Sequence, residues 1–281
     1  MSAVSTPTPF ARELRRWRGM RHVSQLELSL RAGTTQRHVS FIEQGRSRPG
    51  RTMVVRLAES LELPLRERNA LLLAAGYAPL FTESPLHDES LAPARAALDV
   101  ILAGHLPYPA AVVGPAGELV ASNAALDLLL EDAAPELLVP PVNLLRLAVS
   151  PDGLGGRVIN LAAWGHHVLD SLRARTARAP DARLDALLVE LEQLVPPFVP
   201  DPDHVGFAVP MRLRSADGEV RLMTTLTSFA TATDVTLAEL HLEAFLPADA
   251  ESAAILRARA ASRGHVAGSD GATTWADGAW G

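Results

Sequence analysis

Cysteine is absent from the 281 residues, which excludes disulfides, thiolate metal sites and cysteine nucleophiles. Lysine is absent as well, so apart from histidine all 26 basic residues are Arg. With so much Ala alongside, that usage reads as the bias of a GC-rich genome, and Arg content alone carries little functional weight. No uninterrupted apolar run approaches the roughly 20 residues needed to span a bilayer. Thr6-Pro7-Thr8-Pro9 interrupts the place where a secretory signal would carry a basic and then an apolar stretch. Catalytic signatures are missing too: there is no Gly-x-Ser-x-Gly and no arrangement of paired carboxylates. Asp152-Gly153-Leu154-Gly155-Gly156 lacks the following Lys-Ser/Thr and the preceding strand of a phosphate cradle. His166 and His167, adjacent on a helix, point about 100° apart and cannot chelate together, so no metal is expected. These absences describe a soluble, cytoplasmic protein that is not an enzyme and needs no cofactor.

What is present divides the chain in two. The net charge of −6 argues against a nucleic-acid binder when taken whole. Residues 1–80, however, hold 13 Arg against six Glu and no Asp, a balance of +7; residues 81–281 hold 13 Arg against 26 acids, a balance of −13. The asymmetry points to a basic, DNA-facing module carried by an acidic partner domain.

The basic part contains the most specific pattern in the chain. Ser24 is a good helix N-cap, Gly33 stands where a helix must end with positive φ, and Thr34 or Thr35 caps a second helix closing at Gly45. Helix, short glycine turn and helix make a helix-turn-helix. The spacing predicts five helices, at about Pro9–Gly19, Gln25–Ala32, Gln36–Gln44, Arg51–Leu61 and from Pro64 to about Ala75. With Val39 and Ile42 buried, Gln36, Arg37, Ser40 and Phe41 stay exposed on the third helix, flanked by His38 and by the cap Thr35. Gln pairs with adenine, Arg with guanine, and an apolar ring with a thymine methyl. Gln25 is placed for a phosphate contact at a helix N-terminus, and Arg46, Arg48 and Arg51 line further phosphates. Glu43 suits a structural pairing with an arginine of the same bundle.

After a polar, turn-rich stretch at Ser84–Ser90 and a helix at about Leu91–Ala103, the pattern changes. Ala110–Gly114 and Glu118–Ser122 read as a hairpin, Asn123–Leu130 as a short helix and Pro135–Pro141 as loop. Long helices are expected at Val158–Ala177 and Asp181–Leu194. Phe207–Arg214 and Glu219–Phe229 flank Asp217-Gly218, the strongest hairpin signal in the chain, and Thr236–Leu246 alternates again. A last helix runs from Asp249 to about Arg263. The domain limits are therefore 9–80 for the helix-turn-helix domain, 81–105 for linker and connecting helix, and 106–263 for an α/β domain with about five antiparallel strands, with 1–8 and 264–281 disordered.

Ser24-Gln25, Ala32-Gly33, Val39-Ser40, Ile42-Glu43-Gln44-Gly45-Arg46 and Pro49 resemble the helix-turn-helix of the xenobiotic-response-element (Cro/repressor-like) regulators. Arg56-Leu57-Ala58-Glu59 and the segment Pro64 to Pro79 resemble one subgroup, the MmyB-like regulators. Pro109–Val113, Ala121–Ala125 and Asn143–Arg146 are similar to the second domain of that subgroup. Pro196-Pro197-Phe198-Val199-Pro200 stands where the subgroup has a tryptophan-containing motif. The resemblance implies a multidomain fold, an all-α five-helix DNA-binding domain joined to a PAS-like ligand-binding domain, and fatty acids as the ligand class. Tyr108, Asn123, Arg146, Trp164, His167 and Arg173 are the candidates for polar groups in an apolar pocket. The partners expected are double-stranded DNA carrying a near-palindromic operator, a small apolar ligand and a second copy of the chain, with no membrane. Two other readings stay open at this point: a C-terminal domain that only dimerises or binds a protein, and an enzyme domain fused to a DNA anchor.

Overall fold

Three hydroxyl side chains set the starts of the first three helices. In a computed structural model that describes residues 8–198, 209–229, 232–266 and 273–276, Thr8 Oγ1 accepts from the Ala11 amide at 3.2 Å and opens α1 (Pro9–Met20), with Pro9 in its first turn. Ser24 Oγ accepts from the Glu27 amide at 3.0 Å and opens α2 (Gln25–Arg31). Thr35 Oγ1 accepts from the His38 amide at 3.2 Å and opens α3 (Gln36–Glu43). Each such cap contributes about 1 kcal/mol. Gly33, at φ +62°, makes the turn between α2 and α3, a conformation that glycine adopts without a Cβ penalty. Helices α4 (Arg51–Ser60) and α5 (Leu65–Ala74) complete the bundle. Its core gathers Leu14, Trp17, Leu28, Val39, Ile42, Leu57 and Leu72, all essentially buried.

The chain divides into two units, Met1–Ser84 with Ala230–Ala238, and Pro85–Phe229 with Glu239–Gly281. The short second piece of the first unit is tied to the residues that follow α5. Asp234 accepts from the Ser84 amide at 3.2 Å and from the Thr236 amide at 2.9 Å, while Thr236 Oγ1 donates to the Ser84 carbonyl at 2.7 Å. The Val235 amide donates to the Thr82 carbonyl at 2.8 Å, and the Val235 side chain is buried.

The second unit begins with α6 (Ala92–Gly104) and the hairpin β1 (Ala110–Val113) and β2 (Leu119–Ser122). Helices α7 (Asp127–Leu130), α8 (Leu144–Val149), α9 (Leu161–Arg178) and α10 (Ala182–Glu192) follow. Then come β3 (Met211–Ser215), β4 (Gly218–Ser228), β5 (His241–Pro247), α12 (Ala250–Val266) and β6 (Thr274–Trp275), while the short α11 (Val235–Glu239), between β4 and β5 in the chain, belongs up to Ala238 to the first unit. The strands form one sheet in the order β3-β4-β5-β1-β2-β6, with every pair antiparallel. Ala111 and Leu226 both stand opposite Glu243, and Thr224 stands opposite Phe245. Directly opposed residues share a face, so Ala111, Glu243, Leu226, Thr224 and Phe245 look the same way. Ala111 and Phe245 belong to the main core, with Leu126, Leu147, Trp164, Leu172, Leu191 and Leu213; that face is therefore the inner one.

The architecture is that expected, a five-helix helix-turn-helix region followed by an α/β domain, with differences in detail. The strand expected at Thr236–Leu246 starts only at His241, because Asp234 caps a helical turn through the Thr236 amide. Among the described residues the sheet has six strands, and the sixth comes from the tail expected to be disordered: the Ala276 amide donates to the Val120 carbonyl at 2.9 Å. Helix α6, expected in a linker, lies in the second unit, where Asn123 Nδ2 donates to the Leu102 carbonyl at 3.1 Å. Phe207, and the expected disorder at 1–7, 267–272 and 277–281, lie outside the described residues.

Candidate functional site

On α3, Val39, Ile42 and Glu43 turn inward, while Gln36 and Arg37 are exposed and His38, Ser40 and Phe41 are half-buried. The Arg37 guanidinium lies 5.2 Å from the centroid of the Phe41 ring one turn later, a cation over an aromatic face. Thr34 Oγ1 meets His38 Nδ1 at 2.9 Å, and Gln44 Nε2 donates to Ser40 Oγ at 2.9 Å, which orders the rest of the exposed face.

The helix is held in place from beneath. Arg18 of α1 donates from Nε to Glu43 Oε1 at 2.6 Å and from Nη2 to Oε2 at 3.0 Å, and Gln25 Nε2 of α2 donates to Oε2 at 2.7 Å. The Glu43 carboxylate holds the Arg18 guanidinium above its ordinary range, against the opposing effect of burial. Three helices thus meet at one buried carboxylate, and the amide nitrogen of Gln25, expected at a phosphate, is engaged there. Arg48, another expected phosphate contact, donates to the Ala75 carbonyl at 3.2 Å and closes the C-terminus of α5. By contrast, the side chains of Arg37, Arg46, Arg51 and Arg56 make no hydrogen bond or ion pair among the described residues.

The second unit holds a cavity of about 120 Å³ between the inner face of the sheet and α9. Val113, Leu145, Trp164, Val168, Leu172 and Leu226 supply its apolar wall; His167, Ser171, Arg175, Thr224 and Glu243 supply its polar groups. Gly117, at φ +85° in the β1–β2 turn, forms part of the lining, and a Cβ there would lie 2.7 Å from the Leu145 side chain. The Glu243 side chain makes no hydrogen bond or ion pair among the described residues, and Thr224 Oγ1 is buried without a partner. Arg175 donates to the Pro115 carbonyl. Burial pushes the Glu243 carboxyl up to about 7, against the pull of the Arg175 guanidinium. Burial likewise lowers Arg175, and it lowers His241, two residues before Glu243 on the same face, with the Arg175 charge adding to the second effect.

Residues 94–258, more than half of the chain, match the MmyB-like transcription regulator ligand binding domain. The chain belongs to this family. Residues 14–68 of this MmyB-like regulator also match a helix-turn-helix family. Both matches describe a DNA-binding transcription regulator with a ligand-binding domain, not an enzyme. Among solved structures, the restriction-modification controller protein C.AhdI from Aeromonas hydrophila is 26% identical, over 22% of this chain and 92% of that one, with a TM-score of 0.21. No curated protein matches the sequence.

Of the six residues proposed from the sequence of the MmyB-like regulator for ligand contact, Trp164 and His167 line the cavity. The other four are placed elsewhere. Asn123 is almost fully buried: its oxygen accepts from the Ala110 and Ala125 amides, and its nitrogen donates to the Leu102 and Tyr108 carbonyls. That exhausts the hydrogen bonds one side-chain amide makes. Tyr108 packs at the margin of the core and is not among the cavity residues. Arg146 grips Glu190 of α10 at 2.5 and 2.8 Å, a pairing that lowers the Glu190 carboxyl. Arg173 is exposed and pairs with Asp170 and Glu192. The sequence did carry a signal for Arg175. It stands eleven residues from Trp164, about three helical turns, whereas Arg173 at nine residues falls on the opposite side. Among the described residues no cluster of His, Asp and Glu could hold a metal; His166 instead directs Nδ1 to the Ala162 carbonyl at 2.9 Å.

Proposed function

We propose that this regulator binds a near-palindromic operator as a homodimer in the cytoplasm, and that its cavity senses a small, mostly apolar ligand. In this reading α3 enters the major groove. Gln36 and Arg37 read base edges, His38, Ser40, Phe41 and the cap Thr35 flank them, and Arg46 and Arg51 contact phosphates with Gln25 and Arg48 beside them. One such helix reads only a few base pairs, so two copies related by two-fold symmetry, about 34 Å apart, are needed for a specific site. No helix among the described residues is long and apolar enough to cross a membrane, and the absence of cysteine suits a reducing compartment.

The observation that supports the sensing role is the cavity itself, apolar-walled and holding polar groups that the fold leaves without partners. A fatty acid is one candidate class for its ligand, from the family resemblance. Ligand acts by binding two dimer arrangements unequally, since equal affinity would shift nothing. Native mass spectrometry on gently purified protein tests this: a bound small molecule that changes operator affinity when removed is the expected result. An empty protein whose affinity no small molecule alters would leave the second domain as a dimeriser, and turnover of the bound molecule would revive an enzymatic role.

A further inference from the structure

The connection between β4 and β5 is longer than its strands require. Ser228 and His241 stand directly opposite each other at the end of the ladder, where a hairpin usually closes with about two to five residues. Twelve residues, 229–240, intervene instead. Of these, Ala230–Ala238 belong to the first unit, although both strands belong to the second. The two strands are also cavity strands. Thr224 and Leu226 of β4 and Glu243 of β5 line the cavity, and Leu226 and Glu243 are opposed only two residues in from the Ser228–His241 pair.

Within the first unit the turn at 234–236 is fastened at several points. Asp234 and Thr236, both buried, are bonded to Ser84, and the Val235 amide to Thr82, as described above. The segment they hold is fixed in turn to α5. Asn69 Oδ1 accepts from the Leu80 and Phe81 amides at 3.0 and 3.1 Å, its Nδ2 donates to the Phe81 carbonyl at 2.8 Å, and Arg66 pairs with Glu83 at 2.7 Å. The chain and its hydrogen bonds therefore lead without a break from the cavity strands to a helix of the DNA-binding bundle. A carboxylate that accepts from two backbone amides makes strong, charge-assisted bonds. When such a turn leaves its place, its buried groups lose their partners together, so it is either docked or released.

We propose that the Asp234 turn is the two-state element through which the cavity strands and the DNA-binding unit bias each other. This rests on the reading of the first unit as operator-binding and of the second as a sensor. A change in β4 or β5 at the cavity reaches the turn along the chain, and docking or release of the turn alters how residues 80–84 are held against α5. Coupling of this kind is reciprocal. Operator binding is therefore felt at β4 and β5 whatever the ligand is, and the test needs no ligand.

Hydrogen–deuterium exchange on the full chain measures it, with and without a saturating operator duplex selected from random sequences. In the wild type the duplex changes the exchange of amides 224–228 and 241–244 at least twofold. Asp234→Ala lies outside α3 and outside the cavity lining; it still binds the duplex, and those amides exchange equally with and without it. Thr236→Val keeps the side-chain shape and removes only the hydroxyl that donates to Ser84. This milder variant shows a reduced effect of the duplex, and it serves where Asp234→Ala does not fold. An operator effect that survives undiminished in the variants would make the turn a structural fastening only and overturn the proposal. A wild type that binds the duplex while its β4 and β5 amides ignore it would overturn the proposal as well. Both results leave the operator-binding role standing. If no duplex binds, that role fails and the coupling fails with it.

Discussion

Arg18 and Glu43, 25 residues apart, form a two-pronged ion pair at 2.6 and 3.0 Å that joins α1 to the buried side of α3. The Glu43 side chain is only 1% exposed and that of Arg18 19%, so water compensates little if one partner is lost. Breaking a buried pair by removing one member typically costs about 3–5 kcal/mol. Glu43→Ala is expected to destabilise the protein by about 3 kcal/mol, near the lower end because Arg18 retains some solvent. Urea unfolding followed by circular dichroism measures it; a loss under 1 kcal/mol would mean that the pair is dispensable.

Arg37, proposed above to read a base edge, is exposed, stacked at 5.2 Å over Phe41 and without an ion pair among the described residues. Arg37→Ala is expected to weaken specific binding by about 1–3 kcal/mol and to relax preference at one base position. Binding to an array of single-base operator variants measures both effects. Uniform weakening on every sequence would make Arg37 a phosphate contact instead.

The ligand-free protein should show a stability change governed by Glu243. Its carboxyl is raised by burial from near 4.5 to about 7 in the folded chain, so the folded state holds the proton more tightly than the unfolded one. Stability from this group is therefore complete below about pH 4.5 and is lost as pH rises through 7, by a ceiling of about 3 kcal/mol. Glu243→Gln keeps the shape and removes the ionisation. Its stability relative to wild type should climb from pH 5 to pH 8 in thermal melts. Parallel profiles for the two proteins would show that Glu243 does not titrate in the fold.

The DNA-binding half was legible because its signals are local. Ser24, Thr35 and Gly33 each dictate backbone behaviour within a few residues, and the apolar spacing of Val39 and Ile42 settles which side of α3 remains outside. The ligand-binding half was legible as fold but not as site. The alternation of Leu240, Leu242, Ala244 and Leu246 marks one apolar row, and by itself it assigns no role to His241 and Glu243 on the opposite row. The sheet buries both faces there: Leu242 and Ala244 are covered on one side, and Phe245 joins the core on the other. Phe245 was the available clue, since a residue two places from it shares its face. Arg175 and Glu243 are far apart in sequence, and nothing short of the folded sheet-and-helix arrangement puts them in one cavity. Likewise the tail strand β6 is two residues long, too short for any alternation to announce it.

The central claim, a DNA-binding regulator whose basic module reads an operator, is tested most directly by salt. An operator is first selected from random duplexes, and its affinity for the full chain is then followed by fluorescence anisotropy between about 50 and 200 mM salt. Arg–phosphate contacts release counterions, so log affinity should fall linearly with log salt, and with six or more such contacts across a dimer the loss should reach about a thousandfold. Affinity that stays flat over that range, or selection that yields no preferred sequence, would contradict the account.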